Sequence, residues 1–106
     1  MDDKRVARPD IELQDLIPEF LVNRQKEMPL LQGYLRNHDY DSIGKLGHTL
    51  KGICASFGFE YLGVLGQDLE SAALAKSESS LNMIANEMSE YLRTVEVVYT
   101  SKDDRG

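Results

Sequence analysis

The 106-residue chain has a single cysteine, Cys54, which excludes an internal disulfide and any Cys-rich zinc site. It lacks any run of about 18 apolar residues, so nothing reads as a membrane span. Its opening, MDDKRVARPD, lacks the apolar stretch of a signal peptide. Together these absences predict a cytoplasmic protein. Basic side chains are also scarce, with 12 Lys and Arg against 18 Asp and Glu and a formal net charge of −6. That balance argues against a nucleic-acid surface, which needs clustered cations. What remains is ordinary for a globular chain: 42% hydrophobic and 28% charged, too apolar for disorder. The length predicts one domain over residues 1–106, ordered from about residue 10 to 100, with mobile ends.

Four helical segments are predicted, and no strand. The first covers Ile11 to Asn37, with Leu13, Ile17, Phe20, Leu21, Met28, Leu31 and Leu35 recurring at helical spacing. Pro18 suits the first turn of its main part, with Ile11–Ile17 as a lead-in, whereas Pro29 predicts a bend or break. The second opens after Asp39 or Asp41 and ends near Phe57, before Gly58. The third spans Glu60 to Lys76, turning Leu62, Leu65, Leu69, Ala72 and Ala73 inward. The fourth follows Ser77 and runs from Glu78 to Tyr99, burying Leu81, Ile84, Met88, Leu92, Val95 and Tyr99. Short linkers imply antiparallel neighbours, hence an all-α, up-down four-helix bundle with a short lead-in helix.

The second helix carries more than a packing stripe. At about 100° per residue, Ile43, Leu46, Leu50, Ile53, Cys54 and Phe57 gather on one side, and His48 falls opposite them, towards solvent. Gly44 lies one turn before His48, Lys51 and Gly52 one turn after, and Ala55 two turns after. A glycine inside a helix costs about 1 kcal/mol relative to alanine. Gly47 borders the core stripe, where close packing explains it. Gly44 and Gly52 flank the imidazole, where the gain is clearance for a bulky visitor. Lys45, on the flank of the same helix, serves either docking or solvation.

If the chain reverses at Gly58–Phe59, His48 lies ten residues before the turn and Glu70 eleven after it. At a rise of about 1.5 Å per residue the two are nearly level. Glu70 reads either as a solvated charge or as a carboxylate that holds one ring nitrogen. The second arrangement fixes the tautomer and leaves the other nitrogen as an outward lone pair, which prepares a histidine as a nucleophile. Gln67, one turn closer to the hairpin, is placed to add a hydrogen bond.

The segment from His48 through Lys51, Gly52, Ser56 and Phe57 to Gly58 resembles the signature of histidine-containing phosphotransfer (HPt) domains. The spacing onward to Phe59 and Glu70 is similar to the corresponding domain of chemotaxis histidine kinases, and a looser likeness includes the Leu-Ile-Pro-Glu-Phe-Leu opening. The resemblance implies that His48 accepts a phosphoryl group on Nε2, Lys51 stabilises its charge, Glu70 holds the other nitrogen and Gly52 leaves room for the partner. Gln67 falls where family members vary. A docking face would comprise Gly44, Lys45, Gly52, Ala55 and Ser56. Implied partners are a response-regulator receiver domain and a hybrid or sensor histidine kinase, with the chain a monomer. No cofactor is expected on this chain; magnesium would belong to the receiver. Nothing resembles an ATP-binding domain, so the chain would be a carrier and not a kinase. Thr49 directly after His48 disfavours a kinase dimerisation hairpin, where an acidic residue is usual.

Two rivals stand beside this reading. One is a four-helix adaptor that binds a signalling partner while His48 stays unmodified. The other is a metal site built from His38, Asp39, Asp41 and His48. The Asn-His-Asp-Tyr-Asp stretch is better explained as a helix end, turn and cap, with His38 a polar residue near a helix C-terminus. His48 and Cys54 face different sides of their helix, and Cys54 reads as a small core residue. No metal site is expected.

Overall fold

Asp10 opens the helical part of the chain: its carboxylate accepts from the Glu12 N–H at 2.9 Å and caps a 3-10 helix, Ile11–Leu16. That turn leads into α1, Ile17–Arg36, with Pro18 in the first turn, where a missing N–H costs nothing. The computed structural model describes residues 4–101. Of the bend or break expected at Pro29, the break does not occur, since α1 runs through it. Pro29 and Gln25, whose carbonyl loses its intrahelical donor, are both exposed, so the freed acceptor is open to solvent.

Three more helices follow: α2, Tyr40–Ser56; α3, Glu60–Leu74; and α4, Glu78–Thr94. Each packs on the next and α4 returns to α1, which closes an all-α four-helix bundle. Asp39 caps α2, accepting from the Ser42 N–H at 3.2 Å and its hydroxyl at 2.7 Å. These two donors hold the Asp39 carboxyl below its ordinary range. The core contains Ile17, Phe20, Leu31, Ile43, Leu50, Cys54, Leu62, Leu69, Leu81 and Met88, all read from periodicity, together with Phe59, Ala85 and Tyr91.

One turn design joins all four helices. The middle residue of each three-residue connection is left-handed: His38 (φ 53°), Gly58 (φ 87°) and Lys76 (φ 54°). The residue after it donates back five positions, as Asp39 to Tyr34, Phe59 to Cys54 and Ser77 to Ala72, which satisfies carbonyls the helix end leaves free. Only Gly58 was legible as such a stop. It is also required by packing, because a Cβ there would lie 2.6 Å from the Pro9 Cα.

That contact belongs to a feature the sequence reading missed. Two short parallel strands, β1 (Val6–Ala7) and β2 (Glu96–Val97), pair Val6 with Glu96 and Ala7 with Val97, and a bridge joins Asp10 to Thr100. The expectation of no strand is therefore corrected, and residues 5–10 are tied down where a mobile lead was expected. Expected mobility at residues 1–3 and 102–106 lies outside the described residues. Helix α4 stops at Thr94 and not Tyr99, because Val95 turns extended in a stretch rich in β-branched residues and the chain pairs as strand at Glu96–Val97. Glu87 on α4 anchors this clamp. It accepts from the Arg5 guanidinium at 2.9 Å and from the Tyr61 hydroxyl at 2.7 Å.

The tightest packing lies between α2 and α3, where glycines let the backbones touch. A Cβ on Gly47 would lie 2.6 Å from the Gly66 carbonyl oxygen and 2.8 Å from the Glu70 nitrogen. One on Gly66 would lie 2.8 Å from the Lys51 nitrogen. Nothing lies within 4 Å of a Cβ on Gly52.

Replacing Gly66 by Ala should therefore cost about 2 kcal/mol by overpacking, despite the gain in helix propensity. Gly52→Ala should instead stabilise by up to about 1 kcal/mol. Urea midpoints measured at unchanged m-value decide both. The acid limb of stability offers another check. The Tyr61 hydroxyl, then Arg5, hold the Glu87 carboxyl below its ordinary value. That contribution is complete above the ordinary carboxylate pKa and is lost as pH falls through the depressed one. Glu87→Gln should lower stability at neutral pH and flatten its decline below about pH 4.5, measured by urea unfolding at a series of pH values.

Candidate functional site

Capping by Asp39 and the apolar stripe fix how α2 is rotated. Ile43, Leu50 and Cys54 are buried, Leu46, Ile53 and Phe57 partly so, and the opposite face meets solvent. His48 stands on that face with its side chain 73% exposed. Cys54 is sealed in the core, where burial pushes its thiol up to about 12 and leaves it inert.

Glu70 reaches His48 from α3, its Oε2 lying 3.2 Å from Nδ1. The glycine seam makes this reach possible, since Gly47, the residue before His48, abuts the Glu70 backbone itself. A carboxylate accepts only, so this contact calls for a proton on Nδ1, and in the neutral ring that tautomer leaves the lone pair on Nε2. Lys51 is exposed one turn beyond His48, and among the described residues its ammonium has no ion-pair partner. Gln67 is exposed on α3 and makes no hydrogen bond to the imidazole, so the structure brings Glu70 to the ring but not Gln67.

The remaining candidates share the exposed side of α2. Gly52, Ala55 and Ser56 are exposed and Gly44 is half-buried. The Ser56 hydroxyl donates back to the Gly52 carbonyl at 3.0 Å and so is turned onto its own helix. Lys45 pairs with Asp41 one turn earlier at 3.1 Å, both side chains being largely exposed. Exposed pairs of this kind contribute about 0–1 kcal/mol and exchange readily.

Sequence reasoning missed what lies beside the histidine. An open groove of about 580 Å³ starts at His48 and Glu70 and runs past Gly44 and Ala73 to Tyr40, Leu74 and Lys76. Ala73 was read as core and Leu74 was left off the stripe, so nothing in the periodicity marked a groove. His38 is also more than a polar turn residue. Its Nδ1 lies 2.9 Å from Glu78 Oε2, and the Tyr40 hydroxyl donates to the same oxygen. These two partners, Tyr40 foremost, hold the Glu78 carboxyl below its ordinary range. Among the described residues no group of three or more His, Cys, Asp or Glu side chains is placed to hold a metal ion. No described helix is long and apolar enough to cross a membrane.

The Glu70 contact makes a spectroscopic prediction. In neutral wild-type protein, 15N spectra should show His48 mostly as the Nδ1–H tautomer. Glu70→Ala should return it to the Nε2–H form that free histidine favours. An unchanged tautomer ratio would mean that Glu70 does not set it.

No curated protein and no solved structure matches the chain. The family profile of the Hpt domain matches residues 15–96, from the end of the 3-10 helix through all four helices to β2. With a solvent-facing histidine on the second helix of a four-helix bundle, the chain belongs to the Hpt domain family, the phosphotransfer modules of two-component phosphorelays.

Proposed function

We propose that the chain carries a phosphoryl group on His48, taking it from an aspartyl-phosphate receiver domain or a histidine kinase and passing it to a response regulator. The observation that carries this reading is the pairing of Nδ1 with Glu70 on a side chain that is 73% exposed, with open space one turn on at Gly52. The proposed working form is a cytoplasmic monomer that carries the group without kinase activity of its own.

In the transfer from a receiver, the Nε2 lone pair attacks phosphorus in line. The P–O bond to the aspartyl group breaks, and the carboxylate leaves with the bonding electrons. The Nδ1 proton stays in place, so the ring becomes cationic as the N–P bond forms, and the Glu70 carboxylate beside it offsets that charge. Lys51 stands ready to neutralise the phosphoryl oxygens. Magnesium would be supplied by the receiver. The reverse step returns the group to a second carboxylate by the same path.

Label transfer from phosphorylated receiver domains tests this reading. Wild type should acquire acid-labile, alkali-stable label, and His48→Gln should acquire none. Lys51→Gln should slow labelling roughly five- to tenfold, the loss of one charge-assisted contact at a wet site. A receiver that binds wild type and His48→Gln equally while labelling neither would replace phosphotransfer by an adaptor role.

A further inference from the structure

Building on the phosphocarrier reading, we propose that a phosphorylated receiver domain seats itself in the groove between α2 and the C-terminal end of α3. Leu74 serves as its apolar anchor, and Lys45 and Lys76 meet its carboxylates. Docking would thus extend from His48 towards the α3–α4 turn, beyond the α2 residues named above.

Three observations converge on this surface. Leu74 is 88% exposed, against 40–72% for the other exposed large apolar side chains. It sits at the end of a helix whose inward stripe already includes Ala72 and Ala73, so the fold itself has no use for it. A single exposed leucine is unremarkable, but this one lines a groove that opens on the phosphoacceptor. The floor is small as well: a Cβ on Gly44 would meet only the Ala73 Cβ, at 3.8 Å.

Charge supplies the third argument. The chain is acidic overall, at −6, yet lysines 45 and 76 line the groove and Lys51 stands one turn beyond His48. The acids beside them are already engaged, Asp41 with Lys45 and Glu70 with His48. Lys76 lies over the Tyr40 ring, 5.9 Å from its centroid. A domain presenting an acyl phosphate, with the carboxylates that hold its magnesium, is anionic where it meets this face. The lining sets Lys45 and Lys76 against Asp41 and Glu70. With Lys45 taken by Asp41, it is Lys76 and, beyond His48, Lys51 that make no ion pair among the described residues. These two cations beside one apolar contact follow the pattern in which rim charges steer and a buried anchor holds.

The test compares two donors. Phosphoramidate is small and needs no docking surface; a phosphorylated receiver that labels the wild type needs one. For Leu74→Ser and for Lys76→Glu, the ratio of receiver-driven to phosphoramidate-driven labelling of His48 should fall, by about tenfold for the lost anchor. Half-saturating receiver concentration should rise in parallel. Both substitutions are at exposed positions, and thermal unfolding verifies that the bundle is intact. A wild-type ratio in both variants overturns the groove as docking site while leaving His48 as carrier. A wild type labelled by phosphoramidate but by no receiver overturns the receiver and its seat together. A wild type labelled by neither overturns the phosphocarrier reading itself.

Discussion

Backbone contact between α2 and α3 is the constraint on which the rest depends. Gly47 and Gly66 face each other so closely that neither tolerates a Cβ. Ordinary helices keep their axes 8–10 Å apart, with side chains filling the space between. Removing those side chains draws the α3 backbone against the residue that precedes His48. A carboxylate of ordinary length then spans to the imidazole from the neighbouring helix. The glycines are costly in helix propensity, and what they provide is registry between His48 and the Glu70 carboxylate beside it.

The fold was legible wherever hydrophobic period and capping agreed. The bounds of α2 and α3 follow from Asp39, Gly58 and the Leu62–Leu65–Leu69 stripe, and the structure bears these out to within two residues. Orientation of His48 was legible for the same reason, since the face opposite a strong apolar stripe can only be solvent. Pairing with Glu70 came from counting residues out of a hairpin, which works because both helices rise equally. Gln67 lies one turn closer to the hairpin than Glu70, and at that height it makes no hydrogen bond to the ring. Parallel strands of two residues were illegible, because pairing across about ninety positions leaves no local signature. The groove was hidden too, since it depends on how the last turn of α3 and the residues after it sit against α2.

The two histidines illustrate how one chemical arrangement serves different ends. Each presents Nδ1 to a glutamate on another helix, His48 to Glu70 and His38 to Glu78. Around His48 the surroundings are small and open. Around His38 the same glutamate also receives a tyrosine hydroxyl, and the residue itself occupies the left-handed turn between α1 and α2. The second arrangement stitches a corner of the bundle. With the two side chains 65% and 73% exposed, what separates them is the neighbours, a tyrosine sharing the glutamate at His38 and an open groove at His48.

The strand pair has a consequence for how this domain would be held within a larger assembly. Chain entry and exit lie on one two-stranded ladder beside the α2–α3 hairpin, where Pro9 rests on Gly58. Because the strands are parallel, entry near residue 4 and exit near residue 101 sit at opposite ends of a ladder roughly 15–20 Å long. Any tether would therefore depart from the hairpin pole, while the groove opens towards the other two turns. A tether at that pole would leave the His48 face and its groove uncrowded, and would raise the effective concentration of whatever the same assembly holds near them.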